Sequence, residues 1–186
     1  MEKNITILGI CGSLRRDSFN RALLNYAATL EIEGIKIKIA DISNIPNFNQ
    51  DMEKQMPESV KVLKDEIKNA DAVLISTPEY NRSIPGVLKN AIDWASRPYG
   101  ENVFDEKPVA TMGATVGAFV GTAIVQYHLR EIFSSLNAHP LEKPQLFVAN
   151  APLKIKDGKV IDDDTKELIK EVVVKLAEWA KRINQN

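Results

Sequence analysis

Apolar positions alternate between two rhythms along this chain. Asn4 to Ile10 is a compact apolar run, the pattern of a strand buried on both faces of a sheet. Phe19 to Leu30 then carries Leu23, Leu24, Ala27 and Leu30 at helical spacing, with Gly34 beyond it as a stop. Ile35, Ile37 and Ile39 alternate with lysines, which predicts a half-exposed strand near a sheet edge. A short helix follows over Ser59 to Asn69, with Val60, Leu63 and Ile67 on one face. Asp71 to Thr77 is a second fully apolar strand, and Pro85 to Ala95 a helix with proline in its first turn. Pro108 to Gly113 predicts a third central strand, Thr122 to Leu136 a helix, and Gln145 to Ala149 the last strand of the sheet. Asp157-Gly158, set between LKIK and KVI, signals a hairpin. Asp162 to Ile183 closes the chain as an amphipathic helix, with Leu168, Val172, Leu176, Trp179 and Ile183 on its apolar side.

Strands that alternate with helices imply an α/β domain whose parallel sheet is covered on both faces. The expected architecture is a flavodoxin-like three-layer sandwich, with five strands in the order 2-1-3-4-5, forming one domain over residues 1–186. In such a sheet a ligand sits beyond the carboxyl ends of strands 1 and 3, where the order reverses. That rule selects three loops: Gly12 to Ser18, Pro78 to Ile84, and Gly113 to Gly121.

Composition narrows the classes of function. With 44% apolar and 26% charged residues and a net charge of −1, the chain offers no field for nucleic acid or a membrane surface. The opening MEKNITILGICGSL lacks the basic start and long apolar stretch of a signal peptide. Cys11 is the single cysteine, which excludes an internal disulfide or a CxxC pair. His128 and His139 stand apart in sequence, and no metal site is expected. The expected compartment is the cytoplasm.

The first loop, GSLRRDSFN, lacks the GxGxxG of dinucleotide binders but is dense in hydroxyl and amide groups: Ser13, Ser18 and Asn20, with Arg15 and Arg16 between them. A loop that opens into a helix presents free N–H groups and the positive end of the helix dipole, which suits an anion such as a phosphate. Plain helix capping by Asp17 or Ser18, with the arginines solvated, is the competing reading. The second loop, TPEYNRSIPGVLKNAIDW, would lie beside the first, where main-chain groups can read a flat heterocycle. Equally, Pro78, Asn81, Pro85 and Gly86 could simply shape a turn into a helix. Cys11 is expected to be a small core residue, and His128 a surface or interface residue rather than a catalytic one. The Asp162–Asp164 run suits a helix N-terminus, and Asp93 and Trp94 packing or an interface.

Together, GSLRRDSFNRAL and PEYNRSIPGVLKNAIDWASRP resemble the NADPH-dependent FMN reductase family, in particular its quinone, chromate and azo reductase branch. QYHLREIF is similar to that family's fourth helix, and the likeness runs from Ile5 to about Phe147. The resemblance implies non-covalent FMN, with NADPH or NADH as co-substrate. It implies that Ser13, Arg15, Ser18 and Asn20 hold the FMN phosphate, with Phe19 among the cofactor-binding residues. It further implies that Pro78, Glu79, Tyr80, Asn81 and Ser83 line the isoalloxazine, mostly through the main chain. The family's third loop usually follows the pattern GASxGxxGGxRAQ; here GATVGAFVGTAIVQ is one residue longer and has Ala123 or Ile124 near the usual arginine. Thr115 and Gly117 are the expected flavin-rim residues there. The activity implied is two-electron transfer to quinones or similar small acceptors, such as azo compounds, chromate or ferric complexes, through one shared site and hence with ping-pong kinetics. No side chain is assigned as catalytic acid or base. The family's habit implies a homodimer or homotetramer. Alternatives are a reductase that supplies free reduced FMN, a flavodoxin-type electron carrier, or a flavin-free interaction protein.

Overall fold

The computed structural model describes residues 4–119 and 121–184. Its central sheet contains β1 (Ile5–Cys11), β2 (Ile35–Ile39), β3 (Ala72–Ser76), β4 (Pro108–Ala114), β5 (His139–Pro140) and β6 (Leu146–Val148). All neighbours are parallel, in the order β2-β1-β3-β4-β5, with β6 also beside β4. The expected flavodoxin-like order is thus present.

The residue pattern explains both layers. Along β1, Ile5, Ile7 and Cys11 face one side and Leu8 and Ile10 the other, since side chains alternate with a period of two. The first side packs against Leu23, Leu24 and Ala27 of α1 (Phe19–Thr29) and Ile169, Val172 and Leu176 of α6 (Asp163–Asn184). The second packs against Leu63 and Ile67 of α2 (Glu58–Asn69), Leu88 and Ile92 of α3 (Gly86–Ala95), and Leu129 and Phe133 of α4 (Ala123–Ser135). Both faces of the central strands are therefore apolar, and β3 is buried at every position. β2 is the edge strand its alternation predicts: isoleucines half-buried, lysines exposed.

Four details differ from the expectations. The fifth strand position is filled by two short pieces. β5 pairs with the start of β4 and β6 with its end, and the segment between them contains Pro144, which cannot donate to a ladder. Pro85 sits at the N-cap of α3 and Gly86 begins the helix, a one-residue offset. Helix α6 buries Ile169, Val172, Val173, Leu176, Ala177 and Ala180, while Leu168 is 41% exposed. Trp179 is half-buried, its Nε1 donating to His139 O at 3.1 Å.

The remaining local signals appear as expected. Asp157 and Gly158 (φ 48° and 72°) form the turn between β7 (Ile155–Lys156) and β8 (Lys159–Val160), which follow the short α5 (Ala151–Lys154). Asp162 caps α6, accepting the Thr165 N–H at 2.9 Å. Trp94 is fully buried and donates to Pro46 O, and Asp93 pairs with Lys89. Cys11 is sealed at the end of β1, and burial pushes its thiol up. Among the described residues, no helix is long and apolar enough to cross a membrane.

Candidate functional site

A cleft of about 420 Å³ opens at the carboxyl ends of β1, β3 and β4. Ser13, Arg15, Ser18, Phe19 and Asn20 line it from the first loop, Pro78, Glu79 and Tyr80 from the second, and Ala114, Thr115 and Val116 from the third. Nine of the twelve cofactor residues expected from the sequence thus meet in one place. Asn81, Ser83 and Gly117 stand outside the lining. Val120, also in the third loop, lies outside the described residues. Wider grooves run along α6 and between α2 and residues 100–107, lined mostly by mixed lysines and carboxylates far from these loops in the fold.

The first loop is shaped by close packing. Gly12 donates its N–H to Ser76 O at 2.8 Å, and a Cβ on it would overlap the Thr77 side chain. Ser13 and Ser18 are nearly buried, and each Oγ accepts one main-chain N–H at 3.3 Å, from Arg15 and Arg21 respectively. Both serines line the cleft, and the Ser18 side chain also reaches the Cys11 thiol. Phe19 and Asn20, first in α1, have no intrahelical acceptor for their N–H groups. The Arg15 guanidinium lies 5.2 Å from the Phe19 ring centroid and has no ion-pair partner among the described residues. Capping and an anion cradle are thus compatible: Ser18 caps α1 while the loop presents two hydroxyls, a helix N-terminus and one uncommitted cation.

Asn20 acts differently from its neighbours. Its Nδ2 donates to Ala114 O at 3.1 Å and its Oδ1 accepts the Ala114 N–H at 2.8 Å. The Ser76 hydroxyl adds a longer contact of 3.4 Å to the same Oδ1. Its side chain therefore fastens the first loop to the end of β4, while its main-chain N–H and the second Nδ2 hydrogen remain for a ligand.

The second loop doubles back at Asn81-Arg82. Tyr80 and Ser83 exchange two main-chain hydrogen bonds of 3.0 and 2.9 Å, and the residues between have φ of 49° and 62°. This is the two-residue hairpin turn with both central residues left-handed. The Glu79 carboxylate accepts the Val125 N–H at 3.2 Å, in the first turn of α4. Thr122, at the N-cap of α4, has φ of 80° and makes no side-chain cap of its own. Ser83 points away from the cleft, its Oγ 3.1 Å from His128 Nδ1. Neither the Glu79 cap nor the His128 contact was expected from the sequence; each joins residues 45 or more positions apart, beyond any local spacing rule.

The third loop is tied at its base. Thr115 N donates to Val148 O, Ala151 N to Thr115 O and Asn150 N to Gly117 O, all at 2.9 Å. A Cβ on Gly113 would stand 2.6 Å from both Thr77 O and Thr122 Oγ1, so glycine is needed where the ends of β3 and β4 meet the start of α4. Gln126, fully buried, links Thr111, Thr122 and Leu146 beneath the loop. Above that base, Val116 and Phe119 stand exposed.

The chain is similar to known proteins in sequence and fold. The model of a family described as NADPH-dependent FMN reductase matches residues 5–152. An NAD(P)H-dependent FMN reductase of Pseudomonas aeruginosa is 45% identical over 98% of this chain and 99% of its own length. A 2-hydroxy-1,4-benzoquinone reductase of a Burkholderia species is 40% identical over 95% of this chain and 97% of its own. The solved structure of FerB, a flavoenzyme NAD(P)H:(acceptor) oxidoreductase from Paracoccus denitrificans, superimposes with a TM-score of 0.86 at 36% identity, covering 96% of this chain and 98% of that one. The chain belongs to the NADPH-dependent FMN reductase family.

Proposed function

We propose that this chain is one FMN-binding domain that passes two electrons from NAD(P)H to quinones and similar small acceptors. The observation that carries this reading is the convergence, in one cleft, of an anion cradle at Ser13–Asn20 and the second loop's Pro78, Glu79 and Tyr80, which lead into the tight turn Tyr80–Ser83. The residues fit the cofactor's two halves. Ser13, Arg15 and Ser18 hold the phosphate together with the Asn20 N–H, and Phe19 keeps Arg15 in place. Pro78, Glu79, Tyr80, Asn81 and Ser83 hold the ring through the main chain, and Thr115 and Gly117 form its rim. Bound FMN would supply the two-electron chemistry, and the protein supplies position and electrostatics. Tyr80 and Val116, both exposed at the cleft, offer apolar surface against which a flat substrate would stack.

Donor and acceptor then take the same open side in turn, which gives ping-pong kinetics. Exposed Tyr80, Val116, Phe119 and Tyr127 supply apolar surface for a homodimer or homotetramer. A lone, buried thiol and no disulfide suit a cytoplasmic protein.

The test is direct. The purified protein should bind FMN one to one and more tightly than riboflavin, and NAD(P)H without oxygen should bleach it in a single phase. A quinone should restore the colour, and initial rates at several quinone concentrations should give parallel double-reciprocal lines. Equal affinity for riboflavin would remove the phosphate assignment. Bleaching by dithionite but by neither nucleotide would make the protein an electron carrier, and release of the flavin during turnover would make it a supplier of free reduced FMN.

A further inference from the structure

The turn beside the cleft holds one residue poorly suited to it. Both central positions have positive φ; Asn81 tolerates that conformation, whereas arginine, here Arg82, seldom occupies the left-handed region. Such a residue persists only where its surroundings over-determine it. Two side-chain ties flank the turn, and both end on α4. On one side the Glu79 carboxylate accepts the Val125 N–H; on the other Ser83 Oγ shares a hydrogen bond with His128 Nδ1, one helical turn further on. Helix α4 begins with a left-handed Thr122 that makes no side-chain cap, so Glu79 caps the helix while the helix holds Glu79. His128 is half-buried in a separate groove behind the turn, with Ser83, Ile84 and Ile132.

We propose that His128 is a positioning residue: its hydrogen bond to Ser83 holds the Tyr80–Ser83 turn in its strained shape and so sets affinity for the flavin ring. His128 does not line the cleft and is given no proton-transfer role. This inference rests on the FMN reading, and it separates the two halves of the cofactor. The Arg15 cradle acts on phosphate alone, whereas His128 acts on the ring.

The experiment titrates apoprotein with FMN and with riboflavin, which lacks the phosphate and reports the ring half. His128→Ala should weaken both ligands by the same factor, about three- to tenfold for one hydrogen bond. His128→Asn, whose amide can stand where Nδ1 stood, should recover most of that loss. Ser83→Ala combined with His128→Ala should be no weaker than either alone, because both remove one bond. Arg82→Gly placed in the His128→Ala background should also restore affinity, since glycine adopts the left-handed conformation without strain.

A His128→Ala protein that binds both flavins like the parent would overturn the proposal. So would a loss confined to FMN, or single effects that multiply in the double variant. If His128→Ala fails to fold, Ser83→Ala with and without Arg82→Gly decides the same question. If the parent protein binds neither flavin, it is the FMN reading that fails, an outcome distinct from all of these.

Discussion

Asn20 clamps Ala114 with both ends of its amide, Nδ2 on the carbonyl and Oδ1 on the N–H, across 94 residues of sequence. All of these atoms are buried, so neither group of Ala114 can turn to water. Asn20→Ala would strand both and should cost about 3 kcal/mol, read as a shift in the denaturant midpoint of the flavin-free protein. Asn20→Asp should be no better, because it sets an oxygen against the Ala114 carbonyl. Unchanged stability in the alanine variant would show that the clamp adds nothing to the fold.

Arg15 and Arg16 are neighbours with different surroundings. Both are exposed, but Arg15 lines the cleft and is held over Phe19, while Arg16 stands outside the lining. Arg15→Ala should weaken FMN about ten- to hundredfold, the worth of one charge-assisted hydrogen bond. It should leave riboflavin binding unchanged. Arg16→Ala should bind both ligands like the parent. The reverse ranking, measured by flavin fluorescence quenching, would reassign the phosphate to Arg16.

Gly113 has no room for a methyl group, since Thr77 and Thr122 close on it from opposite sides. Gly113→Ala should therefore push the second and third loops apart. The expected cost is about 1–3 kcal/mol of stability, together with weaker flavin binding. A variant that melts and binds like the parent would mean that the strand ends spread without cost.

Asp162 begins α6 by bonding the Thr165 hydroxyl and N–H, and these bonds hold its carboxyl below the ordinary carboxylate range, hydroxyl first. A folded-state value lower than the unfolded one means that the charged form stabilises the fold. That contribution is complete above the unfolded value of about 3.9 and is lost as pH falls through the lowered folded value. Asp162→Ala should therefore cost about 1 kcal/mol at neutral pH, and the difference between the two proteins should shrink in acid. An equal gap at pH 7 and in strong acid would assign the effect to packing instead.

The parts of this molecule that were legible in its sequence are those written locally. β1 and β3 were visible because a strand covered on both faces must be apolar throughout, and β2 because an edge strand must alternate. Asp157-Gly158 was visible because few other pairs accept two positive φ values in a row. The cleft was legible at the level of loops, since the crossover rule fixes which strand ends face a ligand. What stayed hidden depends on partners far away in sequence. β5 is two residues of no strand character, recruited by the open edge of β4. The buried stripe of α6 takes in Val173, Ala177 and Ala180 beside Ile169, Val172 and Leu176, and Leu168 falls outside it, a rotation that only packing on the sheet decides. Glu79 and His128 carry no local signal at all, because a cap and a brace exist only after α4 has been laid beside the second loop.

Cys11 gives the molecule a clock. Its sulfur is sealed where β1 ends, and burial keeps it protonated as well as out of reach. A thiol reagent must wait for the strand itself to open, so the rate of labelling counts openings of the sheet rather than collisions at the surface. Since there is one thiol in the whole chain, each labelled molecule records one event without ambiguity. A ligand seated across the ends of β1, β3 and β4 bridges the elements that must separate for that event, and the interval should lengthen with free ligand as one plus the ratio of its concentration to Kd.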